Sequence, residues 1–208
     1  MRPNVRRLVI ALWTVVFIAF IGLAVRVYLA TGNSDSMTAT TGAPLAPAIG
    51  GPFTLMDHTG RPVTDADFRG KWMLIYFGYT YCPDVCPTSL TTMVDALDLL
   101  GEAGTKVVPV LITVDPERDT PAQLASYVAA FGPRVVGLTG TAEQIAAAAK
   151  AYRVYYAKAK PKAGDGEVYL MDHSSIVYLV DPQGKFHQHF ASHQIDADEM
   201  ARRLRGIL

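Results

Sequence analysis

Apolar and polar positions alternate between strand and helix periods from about residue 49 onward. Two continuous apolar runs, Trp72–Phe77 and Val107–Val114, are typical of strands buried on both faces. Apolar residues at helical spacing follow each run. The second helix begins at Thr120–Gln123, a capping box with proline at the first helical position. The pattern predicts strands that alternate with helices along the chain.

Shorter elements complete the predicted fold. They are a hairpin over residues 53–63, a strand over 135–138, a capped helix from 141, a strand pair around a polar loop at 158–167, strands at 175–180 and 185–190, and a final helix capped at 196. This order predicts an α/β three-layer sandwich with a mixed central sheet. A cysteine pair that follows the first core strand and opens a helix is where thioredoxin-like proteins keep theirs. By that analogy, residues 49–208 form a thioredoxin-like domain.

The N-terminal segment has the composition of a membrane anchor. Residues 1–7 contain three arginines, and an uncharged stretch runs from Leu8 to Val25, followed by Arg26 and four more residues. A helix over residues 8–30 is long enough to cross a hydrocarbon core of about 30 Å. The alternative, a cleaved signal peptide, has a shorter apolar region and a small-residue cleavage site. A basic N-terminus favours residues 1–7 in the cytoplasm and the domain on the opposite, more oxidising side.

Charge and composition limit the remaining classes. Residues 31–48 are rich in Thr, Ser, Gly, Ala and Pro, and we interpret them as a flexible linker. The formal net charge of the chain is zero, because the arginines of the N-terminal segment balance the charge of a mildly acidic domain. The absence of a basic patch in the sequence argues against nucleic-acid binding. The N-terminus lacks a Ser-rich transit stretch, so we expect a bacterial inner membrane and a periplasmic domain rather than a mitochondrial one.

Two cysteines, Cys82 and Cys86, are the candidate chemical groups. They are the only cysteines in 208 residues, and each precedes a proline. Because a residue before proline is disfavoured in helices, we expect both cysteines outside a regular helix that begins at Pro87. The positive end of that helix favours the thiolate form. The arrangement suits a redox disulfide or soft-metal ligation, and spacing alone does not decide between them.

One of the five histidines stands out as a third ligand. His58, in a predicted turn, and His187 and His189, on one face of a strand, are interpreted as solvated, and His193 has no distinguishing context. His173 precedes the strand whose start faces the cysteine loop in a thioredoxin-like fold, where thioredoxins place a cis-proline. No proline lies between residues 161 and 182. Two thiolates and one imidazole suit copper, because Cu(I) prefers sulfur and accepts low coordination numbers.

Three segments, Gly78–Pro87, Val114–Pro121 and Asp172–Ser175, resemble motifs of the Sco/SenC family in the family's order. The resemblance covers residues 49–208. Members are membrane-anchored proteins needed to build the copper site of cytochrome c oxidase. The resemblance implies that Cys82, Cys86 and His173 bind copper, as Cu(I) or Cu(II).

The resemblance also implies partners, and it leaves two functions open. One is a metallochaperone that takes copper from an upstream donor and delivers it to the dinuclear centre of cytochrome c oxidase subunit II. The other is a thiol–disulfide reductase that reduces the cysteines of that subunit, so enzymatic activity is undecided. Peroxide reduction and a purely structural disulfide are weaker alternatives. Asp115 is interpreted either as part of a charged turn or as a group near the copper that supports its ligands or contacts a partner.

Overall fold

The two apolar runs form neighbouring parallel strands at the centre of a seven-stranded sheet. The computed structural model describes residues 13, 17–26, 49–160, 169–192 and 194–208. The chain divides into two units, Met1–Leu45 and Ala46–Leu208, and the second contains the whole sheet. The strands are β1 (Thr54–Asp57), β2 (Pro62–Thr64), β3 (Trp72–Gly78), β4 (Val107–Thr113), β5 (Val136–Thr139), β6 (Tyr156–Lys158), β7 (Met171–His173), β8 (Ile176–Val180) and β9 (Phe186–Ala191). The α-helices are α1 (Val85–Leu99), α2 (Pro121–Ala129), α3 (Ala142–Ala151) and α4 (Ala197–Arg205), and short 3-10 helices cover Asp65–Phe68 and Gly101–Lys106.

The strand order β2-β1-β5-β4-β3-β8-β9 makes the sheet mixed, as predicted. Strands β3, β4 and β5 are parallel, whereas β8 pairs antiparallel with β3 and β1 pairs antiparallel with β5. Nearly every residue of β3 and β4 is buried, as expected for strands covered by helices on both faces. Helices α1 and α4 contact each other, and α2 contacts β5. The thioredoxin-like α/β prediction is therefore confirmed.

Local sequence signals account for most helix starts. The hydroxyls of Thr120 and Thr141 accept hydrogen bonds from the backbone N–H groups of Gln123 and Gln144, and the Asp196 carboxylate accepts one from Glu199. Each bond satisfies one of the backbone donors that a helix leaves free at its first turn. The predicted N-caps are confirmed at all three helices, but the capping box expected at Thr120 is incomplete, because the Gln123 side chain donates to the Thr80 hydroxyl instead.

Helix α1 begins two residues earlier than expected. It starts at Val85, so Cys86 lies in its first turn and Pro87 occupies the third helical position. The first backbone N–H groups of a helix have no intrahelical partner, so a proline there removes no hydrogen bond. The expectation that Cys86 lies outside a regular helix is wrong. Pro87 costs the first turn no hydrogen bond, and this tolerance outweighs the restriction that a proline places on the residue before it.

A second correction concerns His58. Its ring nitrogen Nδ1 accepts a hydrogen bond of 3.2 Å from the backbone N–H of Gly137, and its own backbone N–H donates to the Gly137 carbonyl. The side chain therefore joins the β1–β2 turn to β5 instead of being merely solvated. His187 and His189 are exposed on β9, as predicted.

The N-terminal predictions fall largely outside the described residues. Residues 17–26 are helical, while most of the predicted anchor at 8–30 and all of residues 1–7 and 31–48 are not described. Among the residues that are described, none belongs to a helix long and apolar enough to traverse a bilayer.

We expect Leu111→Ala, in the middle of β4, to lower the free energy of unfolding by about 2–5 kcal/mol, because it leaves a cavity in a fully buried site. The same substitution at Leu99, whose side chain is 50 % exposed, is the matched control and should cost less than about 1 kcal/mol. Denaturant unfolding measures both values. Equal losses for the two variants would contradict this assignment of the core.

Candidate metal centre

Cys82, Cys86 and His173 converge at one edge of the sheet. One ligand atom from each, the two sulfurs and a ring nitrogen, lie within 4.8 Å of one another. Nε2 of His173 is 3.4 Å from Sγ of Cys86. Both cysteines are free thiols, and among the described residues no fourth His, Cys, Asp or Glu joins the group.

Strand pairing explains why residues so distant in sequence meet. Because β8 runs antiparallel to β3, the start of β8 lies beside the end of β3, with Val177 opposite Tyr76. The cysteine loop, residues 79–84, leaves the end of β3, and His173 ends β7 three residues before β8 begins. The sheet therefore delivers the late imidazole and the early thiols to the same edge.

Gly78, the last residue of β3, makes room for the inner thiol. A Cβ atom at this position would lie 2.9 Å from Sγ of Cys86 and 2.9 Å from a ring carbon of Tyr76. Cys86 is completely buried beneath the loop, whereas Cys82 keeps 8 % of its surface exposed. The two sulfurs thus differ in access, and Cys82 is the more accessible one.

The two thiols have opposite electrostatic environments. A hydrogen bond with the Cys86 thiol lowers the pKa of Cys82 to about 4, helped by the backbone N–H groups of Asp84 and Cys86 at the start of α1 and despite burial. The same interaction and complete burial raise the pKa of Cys86. These opposite shifts favour a pair in which Cys82 is the thiolate and Cys86 keeps its proton.

The His173 ring is oriented by its neighbours. The rings of Tyr76 and Tyr79 meet it edge-to-face, with centroids 5.9 Å and 5.8 Å away. Its Nδ1 lies 3.3 Å from the carbonyl oxygen of Ser174, which can only accept a hydrogen bond. These contacts orient the ring so that Nε2 faces the sulfurs.

Asp119 fastens the cysteine loop and was not singled out by the sequence analysis. Its buried carboxylate accepts hydrogen bonds from the Thr113 hydroxyl at the end of β4, and from the backbone N–H and hydroxyl of Thr80. Burial raises the pKa of Asp119. The contact joins the loop to β4 two residues before Cys82. The only feature of the sequence that points to this role is that Asp119 is an acidic residue in the loop after a buried strand.

Asp115 lies apart from the three candidate ligands. Its buried carboxylate pairs with Arg118 and accepts a 2.9 Å hydrogen bond from the Tyr169 hydroxyl. It is not a member of the Cys82, Cys86 and His173 cluster. Among the other histidines, His187 and His189 are on β9, and His193 lies outside the described residues.

Comparison with known proteins identifies the family. The sequence profile described as SCO1/SenC matches residues 41–208. The chain belongs to the SCO1/SenC family. It is 47 % identical over 150 residues to the human mitochondrial SCO1 homolog, covering 71 % of this chain and 49 % of that protein. It is also 47 % identical over 173 residues to SenC of Rhodobacter capsulatus, covering 82 % and 76 %. The chain thus spans about half the length of the human SCO1/SenC relative.

Solved SCO1/SenC structures have the same fold. Bradyrhizobium japonicum ScoI with copper bound superposes with a TM-score of 0.69 at 45 % identity, covering 77 % of this chain and all of that one. Arabidopsis thaliana ScoI with copper bound gives 0.71 at 42 % identity, covering 77 % and 98 %. BsSco, described as a member of the Sco family of cytochrome c oxidase assembly proteins with a disulfide switch, gives 0.58 at 26 %, covering 76 % and 92 %.

We expect alkylation of Cys82 by iodoacetamide to be nearly independent of pH from 5 to 8, because the thiolate already predominates above its pKa of about 4. Cys86→Ala removes the main cause of the low pKa of Cys82. In this variant the alkylation rate of Cys82 should therefore rise with pH over the same range. Mass spectrometry of the modified peptide measures both rates.

Ser89→Ala, one turn farther along α1, retains the thiol pair and is the matched control. Its alkylation of Cys82 should follow the pH dependence of the unsubstituted protein. A rate that climbs steadily to pH 8 in the unsubstituted protein would contradict the lowered pKa of Cys82.

Proposed function

We propose that the protein is a membrane-anchored copper metallochaperone that assists assembly of the dinuclear copper centre of cytochrome c oxidase subunit II. The observation that carries this proposal is the convergence of two thiols and one imidazole within 4.8 Å. Cys82, Cys86 and His173 are the proposed ligands, and copper is the cargo.

The donor set favours copper over zinc. Two thiolates and an imidazole provide soft ligands for Cu(I), and a third, nitrogen ligand also suits Cu(II). A structural zinc site requires four protein ligands, and the described residues offer three. Relatives at 42 % and 45 % identity have been solved with copper bound, which supports the same choice here.

The protonation of the thiols fits the uptake of a cation. Cys82 is ready to bind as a thiolate, and Cys86 gives up its proton when copper arrives, so that binding releases one proton. Burial of Cys86 protects the ion from water, while the partial exposure of Cys82 gives a partner a point of approach. We propose that the partner takes the ion by exchanging its own ligands for these, beginning at Cys82.

The cellular setting is part of the proposal. We propose that residues 8–30 anchor the protein in the bacterial inner membrane, with residues 49–208 in the periplasm beyond the linker at 31–48. An upstream donor would supply copper, and subunit II would receive it. The similarity to SenC and to a Sco protein described as an oxidase assembly factor supports this setting.

Asp115 has an indirect role in this proposal. Its carboxylate contacts Arg118 and Tyr169, and Tyr169 lies in the segment that leads to His173. We propose that Asp115 supports the ligand set through these two residues and does not touch the ion.

A thiol–disulfide reductase is the second candidate. The low pKa of Cys82 and the buried, protonated Cys86 favour it. The Cys82 thiolate would attack a sulfur of the partner disulfide, forming a mixed disulfide and releasing one partner thiolate. Cys86 would then attack Sγ of Cys82, pass its proton to the partner and release the second thiolate. The Cys82–Cys86 pair is oxidised by two electrons and the partner is reduced by two.

We expect His173→Ala to weaken Cu(II) binding by more than about 100-fold. Loss of a residue that only orients a ligand costs about 10–100-fold in metal affinity, and His173 is a proposed ligand itself. Cu(I) binding should weaken less, because sulfur holds the softer ion. Anaerobic titration gives both affinities, and X-ray absorption counts sulfur and nitrogen neighbours. His187→Ala, an exposed histidine on β9, is the control. Unchanged binding of both ions by His173→Ala would refute the ligand assignment.

The two functions separate when copper is removed. In the presence of a copper chelator, we expect the reduced protein to reduce an oxidised two-cysteine peptide of subunit II only slowly, because its buried pair is arranged to hold an ion. The copper-loaded protein should transfer its ion to the reduced peptide. Rapid copper-free reduction that persists in His173→Ala, without copper transfer, would favour the reductase. Cys82→Ser should abolish both activities.

A further inference from the structure

The segment that carries His173 is not part of the main sheet. Strands β6 and β7 form a separate two-stranded sheet, in which His173 is paired with Tyr156. No ladder hydrogen bond among the described residues joins this pair to the seven-stranded sheet. The link to β8 brings it near the thiols, and side-chain contacts hold it in place over them.

Arg118, in the loop after β4, makes several of those contacts. Its guanidinium carbon lies 3.7 Å from the centroid of the Tyr169 ring, and Nη1 donates a 2.9 Å hydrogen bond to the Tyr169 carbonyl. Nε pairs with Asp115, which also accepts the Tyr169 hydroxyl. A single residue of the segment before β7 is thus held by its ring, its hydroxyl and its backbone.

The same guanidinium also contacts the cysteine loop. Its carbon lies 4.6 Å from the ring centroid of Tyr81, which precedes Cys82, and 5.8 Å from that of Tyr79. The Tyr79 hydroxyl accepts a 3.1 Å hydrogen bond from the backbone N–H of Met171, two residues before His173. Arg118 therefore bridges the segment of the imidazole and the segment of the thiols.

Burial makes this bridge stronger than a surface contact. The side chain of Arg118 is only 18 % exposed and that of Asp115 is 2 % exposed. A planar guanidinium can stack on rings and donate in a fork at the same time, which an ammonium cannot. By contrast, the nearby pair Lys158–Glu117 joins β6 to the loop after β4 on the surface, and exposed pairs of this kind contribute little.

We propose that Arg118 is a positioning residue for His173: it clamps the β6–β7 pair to the loop after β4 and so holds the imidazole over the two thiols. This inference rests on the proposed copper-binding function. Loss of the clamp leaves Cys86 in place, because it lies in α1, and the loop of Cys82 stays tied to β4 through Thr80 and Asp119. Loss of Arg118 therefore weakens the binding of Cu(II), which needs the imidazole, more than the binding of Cu(I), which the sulfurs hold.

The test compares Arg118→Gln, Arg118→Lys and the control Glu117→Gln in the full-length chain. For Arg118→Gln we expect Cu(II) affinity to fall by about 10–100-fold, the range for residues that orient a ligand, with a much smaller change for Cu(I). The nitrogen coupling in the Cu(II) electron paramagnetic resonance spectrum should weaken. Arg118→Lys should fail to restore either property, because it keeps the charge and loses the fork and the stacking. Glu117→Gln should leave all of them unchanged.

A second readout needs no metal. Backbone amides of residues 169–175 include Met171 and Ser174, which donate to the Tyr79 hydroxyl and the Tyr155 carbonyl. We expect hydrogen exchange in this segment to accelerate in Arg118→Gln, while residues 107–113 of β4 exchange as before. If Arg118→Gln fails to fold, Tyr169→Leu removes the same clamp from the other side and should give the same pattern.

The outcomes distinguish this inference from the function on which it rests. Unaltered exchange at residues 169–175 together with unaltered Cu(II) binding in Arg118→Gln overturns the positioning role and leaves the copper proposal intact. Equal losses for Cu(I) and Cu(II), with faster exchange in β4 as well, also overturn it, because they indicate general destabilisation. Failure of the unsubstituted protein to bind copper refutes the proposed function. Hydrogen exchange at residues 169–175 then tests, without copper, whether Arg118 holds the β6–β7 pair in place.

Discussion

The antiparallel pairing of β8 with β3 is the interaction on which the candidate site depends. Parallel pairing of β3 with β4 places both strand ends at one edge of the sheet, and β8 begins at that same edge because it runs the other way. A thiol pair after β3 and an imidazole before β8 meet there as a result. No local signal near residue 82 contains that information. It is a property of the sheet, and the sheet is specified by apolar runs far from the ligands.

Within this frame, space and charge are distributed unevenly between the two sulfurs. Gly78 leaves room for the sulfur of Cys86 against Tyr76, and the hydrogen bond with Cys82 together with burial raises the pKa of that thiol. Cys82 lies closer to solvent and is ionised by the hydrogen bond from its neighbour. The loop between them is tied to β4 through Asp119 and Thr80. An outer thiolate and an inner thiol suit both copper exchange and disulfide exchange, which explains why both functions are worth testing.

Much of this architecture could be predicted from sequence, because burial and capping leave periodic and local signals. The strands at the centre, the caps at Thr120 and Thr141, and the approach of His173 to the cysteine loop follow from such signals and from a fold analogy. The start of α1 could not be predicted, since the restriction before Pro87 competes with free backbone groups at a helix terminus. The contacts of Arg118 with Tyr169 and of Asp119 with Thr80 join residues 51 and 39 positions apart, and they depend on side-chain geometry that composition does not encode.

The separation of the β6–β7 pair from the main sheet has an evolutionary consequence. The sulfurs are built into the hydrophobic core, where substitutions threaten folding, whereas the imidazole belongs to a strand pair that, among the described residues, shares no ladder hydrogen bond with the main sheet. Selection can therefore alter the geometry of one ligand without risking the stability of the whole domain. Descendants of a common ancestor could diverge in their preference between oxidation states of a metal through changes in this strand pair alone.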